Sequence, residues 1–143
     1  MCVDEAVTFF EHHKPIYRKL KILQDVGLGY ITLGQSALTF SGGEAQRIKL
    51  AKELSRKATG DTLYILDEPT TGLDPITGKE ICQLMIDVQK RYNTSSIIIS
   101  HDMNCVRMTS NRIILLHNGT CYASGTFEEL RISNDPIIKE FFE

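Results

Sequence analysis

Three short segments carry residues whose types and spacing could bind or act on a phosphate. The first is Ser41-Gly42-Gly43-Glu44, where a hydroxyl and two glycines stand at the predicted start of a helix. The free amide groups and positive dipole end of a helix attract an anion, and glycines let it approach closely. The same residues also make an ordinary capping box, with Glu44 three residues after the N-cap Ser41. Taken alone, the segment favours the capping box over a phosphate site.

The second segment is an apolar run from Leu63 to Leu66 that ends in Asp67 and Glu68. A strand that delivers a carboxylate at its C-terminal edge suits Mg²⁺ bound to nucleotide phosphates, because ligands bind at that edge of α/β sheets. A second carboxylate beside the first could orient or deprotonate an attacking water. An acidic turn after a strand explains Asp67 and Glu68 equally well when the segment is taken alone.

The third segment is Ser100-His101-Asp102, which directly follows a predicted strand. His101 would reach the same sheet edge as Asp67 and Glu68, where its ring could donate to a phosphate oxygen. The alternative is a surface histidine at the end of a strand. The three residues do not form a catalytic triad, because neighbours on an extended chain point in opposite directions.

Alternating helices and strands are predicted to position these segments. The sequence predicts helices at 4–11 and 15–26, a loop at 30–40, a helix from Gly42 to about Lys57, a strand at 62–66 and a helix from Pro75 to about Asn93. A strand at 96–100, a short helix at 103–109, a hairpin around Asn118-Gly119 and two C-terminal helical segments follow. These elements predict an α/β fold with a mainly parallel sheet.

Composition narrows the class of protein. Near-neutral charge, with 16 Lys and Arg against 18 Asp and Glu, gives no support for a large nucleic-acid-binding face. No apolar run approaches the roughly 20 residues that span a membrane, and the acidic N-terminus lacks the pattern of a signal peptide. The four cysteines do not have the spacing of a zinc site. The sequence therefore predicts a cytoplasmic protein with no direct membrane insertion.

Together and in this order, the three segments resemble the ABC ATPase family. Ser41 to Arg47 is similar to the signature motif, Leu63 to Glu68 to the Walker B strand, Gly72 to Asp74 to the D-loop, and His101 to the switch histidine. The resemblance implies a partial P-loop NTPase fold of the ABC cassette type, with a signature helical region and a C-terminal hairpin plus helix. It also implies ATP and Mg²⁺ as cofactors.

The resemblance assigns catalytic roles to residues after the two predicted strands. Asp67 would hold Mg²⁺ through water, Glu68 would be the general base for hydrolysis, and His101 would contact the γ-phosphate. These roles match what each side chain can do chemically, but they come from the resemblance.

The resemblance also implies that the signature residues act on ATP held by an opposite cassette. The cofactor-binding set is Ser41, Gly42, Gly43, Glu44 and Gln46, of which the first three would contact the γ-phosphate. Asp74 would couple the two sites across the interface between cassettes. The implied partner is another ABC cassette or a second copy of this chain.

One motif of the family is missing from these 143 residues, the phosphate-binding pattern G-x-x-x-x-G-K-[ST]. The nearest match runs from Gly72 to Glu80, but it has one residue too many between its glycines. It also has Glu80 in place of the Mg²⁺-binding hydroxyl. Without this loop most contacts to the β- and γ-phosphates are lost. Catalysis would therefore need completion by another cassette.

The resemblance divides into two parts. Residues 3–71 resemble the C-terminal cassette of the excision-repair family UvrA, on Leu23 to Tyr30, on Leu33 to Ser36 and on the signature motif. That family usually has His where this chain has Asp74. The first part of the chain therefore points to DNA repair.

Residues 72–143 instead resemble ATPase subunits of phospholipid-transport ABC systems. Asp74 to Thr77, Ser100 to Met103 and Gly125 to Leu130 carry this second resemblance. A chimera joined in or near Asp67 to Leu73 explains the division, and a naturally divergent cassette is the alternative. The predicted domains are the signature helical region at 1–60 and the α/β core with its C-terminal tail at 61–143.

Three hypotheses for function follow. The first is an ABC ATPase fragment that contributes signature motif, Walker B strand and switch histidine, in a DNA-repair complex or as a membrane transporter subunit. The second is a non-catalytic interaction module that offers a signature face or dimerises by covering the sheet surface left open by the missing lobe. The third is a recombinant chimera without native function.

Overall fold

The chain forms two compact units. The structure is a computed structural model that describes residues 1–55 and 62–142. The first unit comprises Met1–Thr62 and Gly72–Thr77, and the second comprises Leu63–Thr71 and Gly78–Glu143. The domain boundary predicted at residues 60 and 61 and the helix end predicted near Lys57 lie outside the described residues, and both stay predictions. No helix in the described part is long and apolar enough to cross a membrane.

Three helices build most of the first unit. They are α1 (Val3–Phe9), α2 (Lys14–Asp25) and α3 (Gly42–Leu54), with a short 3₁₀ helix at Ala37–Thr39 inside the predicted loop. Pro15 lies in the first turn of α2, where its missing amide costs no helical hydrogen bond. Gly27 follows the end of α2 with a backbone φ of +79°, a conformation that glycine adopts without strain.

Helix α1 begins one residue before the predicted range of 4–11. The helix begins at Val3, and Glu5 Oε2 accepts a hydrogen bond from the Cys2 amide at 2.9 Å. The Asp4 carboxylate accepts from Gln24 Nε2 at 2.8 Å, because α1 packs against α2. The buried core of this unit includes Val3, Leu20, Val26, Leu28 and Leu50.

The second unit contains a parallel pair of strands and an antiparallel hairpin. Its elements are β1 (Leu63–Asp67), most of α4 (Pro75–Tyr92), β2 (Ser95–Ile99), α5 (Met103–Thr109), β3 (Ile113–His117), β4 (Thr120–Gly125), α6 (Phe127–Arg131) and α7 (Pro136–Glu140). Strands β1 and β2 are parallel, with Leu63 opposite Ser95 and Asp67 opposite Ile99. The predicted α/β alternation is therefore confirmed.

The predicted hairpin forms between β3 and β4, which are antiparallel. Asn118 and Gly119 make its turn with φ angles of +49° and +75°. Two consecutive positive φ angles are typical of the tight turn that Asn-Gly favours between strands. Parallel pairing is thus confined, among the described strands, to β1 and β2.

Helix α4 has one buried face. Ile81, Leu84, Met85 and Val88 are buried as the helical spacing predicts, whereas Tyr92 is 37% exposed near the helix end. Cys82 on α4 is also buried, and its burial and its contact with the Cys105 thiol raise the pKa of Cys82 to about 12.

One face of the parallel strand pair is open. Leu63 and Ile65 of β1 are 53% and 65% exposed, and Ile97 and Ile99 of β2 are 50% and 51% exposed. The sequence predicts both strands as buried, and for this face the prediction is wrong. The described residues of the second unit leave this face uncovered, although parallel sheets are usually covered on both faces.

Candidate functional site

The ends of β1 and β2 bring Glu68 and His101 together. Glu68 follows β1 with a left-handed backbone φ of +46°, which is uncommon outside glycine. Its amide donates to the Ile99 carbonyl of β2 at 2.8 Å. Glu68 Oε1 then lies 2.7 Å from Nδ1 of His101, across a separation of 33 residues. The pairing of β1 and β2 in this parallel register therefore brings the two predicted catalytic residues into contact.

Two hydroxyl groups hold the second oxygen of Glu68. Thr71 Oγ1 donates to Glu68 Oε2 at 3.1 Å, and Ser100 Oγ donates to the same oxygen at 3.4 Å. Ser100 Oγ also accepts from the Asp102 amide at 3.1 Å. The sequence analysis assigned no role to these hydroxyls, although Ser100 belongs to the third predicted segment and Thr71 lies three residues after Glu68.

A part-buried contact joins the same two loops. Thr70 is 7% exposed, and its Oγ1 donates to Asp102 Oδ2 at 3.2 Å. The other oxygen of Asp102 caps α5 by accepting from the amides of Asn104 at 2.9 Å and Cys105 at 3.3 Å. We refer to the following residues as the strand-end cluster: Glu68, Thr70, Thr71, Ser100, His101 and Asp102.

The contact between Glu68 and His101 favours the charged forms of both. The hydrogen bond to His101 lowers the pKa of the Glu68 carboxyl below its ordinary value, and the bond to Glu68 raises the pKa of the His101 ring. The His101 side chain is 80% exposed and that of Glu68 33%, so water screens the pair. An ionised carboxylate can accept a proton, and a protonated ring can donate to an anion.

Asp67 is the last residue of β1 and is exposed at the C-terminal edge of the parallel pair. In the part of the chain that the structure describes, no group of three or more His, Cys, Asp and Glu residues could hold a metal ion. A single carboxylate fits a Mg²⁺ ion that takes its other oxygens from nucleotide phosphates and water. It does not fit a metal held by the protein alone.

The signature segment, Ser41 to Arg47, opens α3. Ser41 Oγ accepts from the Glu44 amide at 3.3 Å, and Glu44 Oε2 accepts from the Ser41 amide at 2.8 Å. The predicted capping box is confirmed. Ser41 and Gly42 are exposed, Gly43 is buried and Gln46 is half-buried.

Residues 72–77 of the same unit pack against the two signature glycines. A Cβ atom on Gly42 would lie 3.1 Å from Leu73 Cδ2, and one on Gly43 would lie 2.6 Å from Thr77 Cγ2. A contact of the second kind cannot form unless an atom moves. Gly43 therefore permits close packing of Thr77, in the first turn of α4, against α3, and Gly42 lies against Leu73 of the predicted D-loop.

Asp74 caps α4 and so joins this arrangement. Its Oδ1 accepts from the amides of Ile76 at 3.0 Å and Thr77 at 3.1 Å, and its Oδ2 accepts from the Thr77 hydroxyl. The hydroxyl bond first, and then the amide bonds, lower the pKa of Asp74. Thr77 thus lies between Asp74 and Gly43 in the first unit.

Tyr30 is a contact of the signature segment that sequence reasoning did not find. Its hydroxyl donates to Glu44 Oε1 at 2.6 Å, across 14 residues. The segment from 30 to 40 is predicted only as a loop, and nothing in its local pattern points to Glu44.

Comparison with protein-family models gives no match. UvrABC system protein A from Aquifex aeolicus is 50% identical to the chain over 135 residues, which cover 91% of the chain and 14% of that protein. The predicted resemblance to the UvrA family is therefore confirmed. Because the alignment covers 91% of the chain, it extends to both sides of the predicted seam at Asp67 to Leu73. Different origins for the two parts stay a prediction.

Solved structures give the same result for the fold. UvrA2 from Deinococcus radiodurans matches 99% of the chain with a TM-score of 0.74 and 37% identity, over 18% of its own length. A dimeric ATP-binding cassette in a post-hydrolysis state, bound to ADP and Pi, matches 78% of the chain with a TM-score of 0.60 and 25% identity. The chain has the fold of part of an ABC ATPase cassette. The aligned part covers 46% of the chain of the dimeric cassette bound to ADP and Pi.

Proposed function

We propose that this chain is the signature and Walker B part of an ABC ATPase cassette of the UvrA type, and that it works in the cytoplasm in excision repair. In this proposal these 143 residues, which contain no P-loop pattern, act on ATP together with another cassette. The single observation that carries the proposal is the contact of 2.7 Å between Glu68 and His101.

Glu68 is proposed as the general base for ATP hydrolysis. Its pKa is lowered by the bond to His101, so the carboxylate is ionised near neutral pH and free of a proton. Thr71 and Ser100 fix the orientation of that carboxylate through Oε2. A base that is held in one orientation can accept the proton of a water placed opposite a phosphate.

His101 is proposed to contact the γ-phosphate. Its raised pKa favours the protonated ring, which can donate from both nitrogens. One nitrogen would bond Glu68 while the other faces the nucleotide. A single ring would in this way link the base to the phosphate.

Asp67 is proposed as the Mg²⁺ residue, through water. The ion, when bound with ATP, would neutralise charge on the phosphates during transfer. The exposed position of Asp67 at the edge of the parallel pair supports this role. The remaining oxygens would come from the nucleotide and water, as the single protein carboxylate requires.

The signature residues are proposed to contact ATP held by the partner. Ser41, Gly42 and Gly43 would approach the γ-phosphate, with Glu44 and Gln46 in the same segment. Asp74 would couple the two sites. The solved dimeric cassette with ADP and Pi supports a partner cassette, or a second copy of this chain, as the other half of the site.

A non-catalytic interaction module is the second candidate. The open face of β1 and β2 favours it, because Leu63, Ile65, Ile97 and Ile99 together expose a contiguous apolar surface. Under this hypothesis the chain would associate through that face without turning over ATP.

The test is ATP turnover by the purified chain, alone and mixed with UvrABC system protein A from Aquifex aeolicus as the source of a complete cassette. We expect no turnover by the chain alone, and added turnover in the mixture. Glu68→Gln should lower the added turnover by a factor of about 100 or more, which is the effect expected when a general base is lost. Glu140→Gln, a change to an exposed acid of α7, is the matched control and should leave the addition intact.

Two results would contradict the proposal. If added turnover persists in Glu68→Gln, Glu68 is not the base. If no turnover is added but light scattering shows association that an Ile65→Asp variant abolishes, the interaction module is the better description. Calorimetry with Mg-ATP gives a third check, because micromolar binding by the chain alone would contradict the need for a partner.

A further inference from the structure

The loop between α2 and α3 is fixed on both sides of Tyr30. Leu28 is fully buried and Ile31 is 8% exposed. The Gly29 carbonyl accepts from the Asp4 amide, and the Ile31 carbonyl accepts from the Val3 amide, each at 2.9 Å. Tyr30 itself is 63% exposed. Its backbone is therefore held by the core and by α1 while its side chain projects outward.

Close packing leaves little freedom in this loop. A Cβ atom on Gly29 would collide with Asp4 Oδ1, and one on Gly27 would lie 2.9 Å from Arg47 Nη1. Arg47 Nη1 also donates to the Val26 carbonyl at 2.9 Å. The signature helix α3 and residues 26–31 are thus joined near Arg47, one helical turn beyond Glu44.

The side chain of Tyr30 supplies the second connection. Its hydroxyl donates to Glu44 Oε1 at 2.6 Å, and Glu44 Oε2 accepts from the Ser41 amide at 2.8 Å. Each oxygen of one carboxylate therefore has a separate partner. The distance to Tyr30 is that of a strong, charge-assisted hydrogen bond. This bond and the charge of Glu44 raise the pKa of Tyr30, and the bond to Tyr30 lowers the pKa of Glu44.

We propose that Tyr30 is a positioning residue of the signature segment, because it fixes the Glu44 carboxylate that holds the Ser41 amide. The capping box alone leaves Glu44 Oε1 to water. With Tyr30 in place, the first turn of α3 is tied to the rigid loop at 26–31. The inference rests on the proposed function, in which Ser41 to Gly43 contact a phosphate on the partner cassette. Tyr30 itself touches neither ATP nor Mg²⁺ in this proposal.

The first test measures amide hydrogen exchange by NMR in the 143-residue chain and in Tyr30→Phe. We expect exchange at Ser41 to accelerate roughly tenfold, the equivalent of one lost charge-assisted hydrogen bond. Tyr122→Phe is a matched control, because Tyr122 donates to the N-cap carboxylate of Asp135 at 2.9 Å in the second unit. It should accelerate exchange at Ile137 and leave Ser41 unchanged. Unchanged exchange at Ser41 in Tyr30→Phe would overturn the proposal.

A spectroscopic signature checks the coupling without altering Tyr30. The ring carbon that bears the hydroxyl, followed by NMR, should titrate above the ordinary pKa of tyrosine. Glu44→Gln should return the titration to about 10, the ordinary value. A tyrosine that already titrates at its ordinary pKa in the unaltered chain would contradict the bond to Glu44.

The third measurement separates positioning from a merely structural role. In the mixture with the Aquifex aeolicus protein, Tyr30→Phe should lower the added turnover at saturating ATP about threefold to tenfold. The KM for ATP should stay unchanged, because the partner holds the nucleotide. Faster exchange at Ser41 with normal turnover would show that Tyr30 does not position the site. If the unaltered chain adds no turnover, the proposed function fails, while the exchange result still decides whether Tyr30 holds the turn.

Discussion

The signature segment and the strand-end cluster depend on hydrogen bonds that span different separations in the sequence. In the signature segment, Ser41 and Glu44 bond across three positions. In the strand-end cluster, Glu68 meets His101 across 33 positions and Thr70 meets Asp102 across 32. A local capping box forms wherever the helix starts, whereas the cluster forms only when β1 and β2 pair in the correct register. We therefore expect the cluster to be the more sensitive of the two to loss of a single side chain.

The largest effect on stability should come from Thr70→Val. The change keeps the shape of the side chain but removes the hydroxyl that bonds Asp102 inside the second unit. A carboxylate oxygen that loses its partner in a part-buried setting costs about 1–3 kcal/mol. Urea unfolding followed at NMR signals of the second unit measures this cost. Thr70→Ser restores the hydroxyl and should recover most of the stability; equal losses in both variants would mean that the methyl group matters instead.

A somewhat smaller effect is expected at Gly43. A methyl group there would meet Thr77 Cγ2 at 2.6 Å, and such overpacking costs about 1–2 kcal/mol. Thr77→Ser removes that carbon and keeps the hydroxyl that bonds Asp74. We expect Gly43→Ala to be destabilising alone and neutral or stabilising together with Thr77→Ser, as a double-mutant cycle in urea would show. Additive effects would argue against the contact.

The capping box itself should contribute less to the free energy of unfolding. Ser41→Ala removes the oxygen that accepts from the Glu44 amide and should cost about 1 kcal/mol, whereas Ser41→Gly should cost only a few tenths. Urea unfolding of the first unit provides the measurement. A loss at Ser41 that exceeds the loss at Thr70 would reverse the ranking of the two regions.

The smallest expected effect is the pH dependence of stability that comes from the exposed pair of Glu68 and His101. The pKa of His101 is raised, so its stabilisation is complete below about 6.5, the unfolded value, and is lost as pH rises through the folded pKa. The pKa of Glu68 is lowered, so its stabilisation is complete above about 4.3 and is lost as pH falls through the folded pKa. The pair should therefore stabilise most between those values.

A pH series of urea midpoints for the second unit tests this window, measured without Mg²⁺ or nucleotide. His101→Gln should flatten the dependence, and His117→Gln, in the β3–β4 hairpin, is the control. A midpoint that rises steadily toward alkaline pH in the unaltered chain would contradict the assignment.

The difference in reach also explains what the sequence could predict. The capping box at Ser41, the turn at Asn118 and Gly119 and the buried stripe of α4 depend on residues close in the chain, and all were predictable. The shared edge of Glu68 and His101 was predictable because parallel strands end together. Their functional roles stay proposals.

The other features depend on how distant parts of the chain pack, which the sequence alone does not show. Tyr30 lies in a stretch without periodicity, and its bond to Glu44 depends on how α2 and α3 pack. Thr70 and Asp102 are ordinary loop residues until the strand register brings them together. The exposed face of β1 and β2 was also beyond the sequence, since an apolar strand does not reveal which of its faces is covered.

The two buried thiols of the second unit can be used to measure how often that unit opens. Cys82 lies on α4 and Cys105 lies on α5. Burial raises the pKa of Cys82 to about 12, so this thiol stays protonated and unreactive at neutral pH. A maleimide reagent would modify the exposed Cys121 at once, but it would reach the buried pair only when the two helices separate. The rate of that slow modification therefore reports how often the unit opens, without any new cysteine being introduced into the chain.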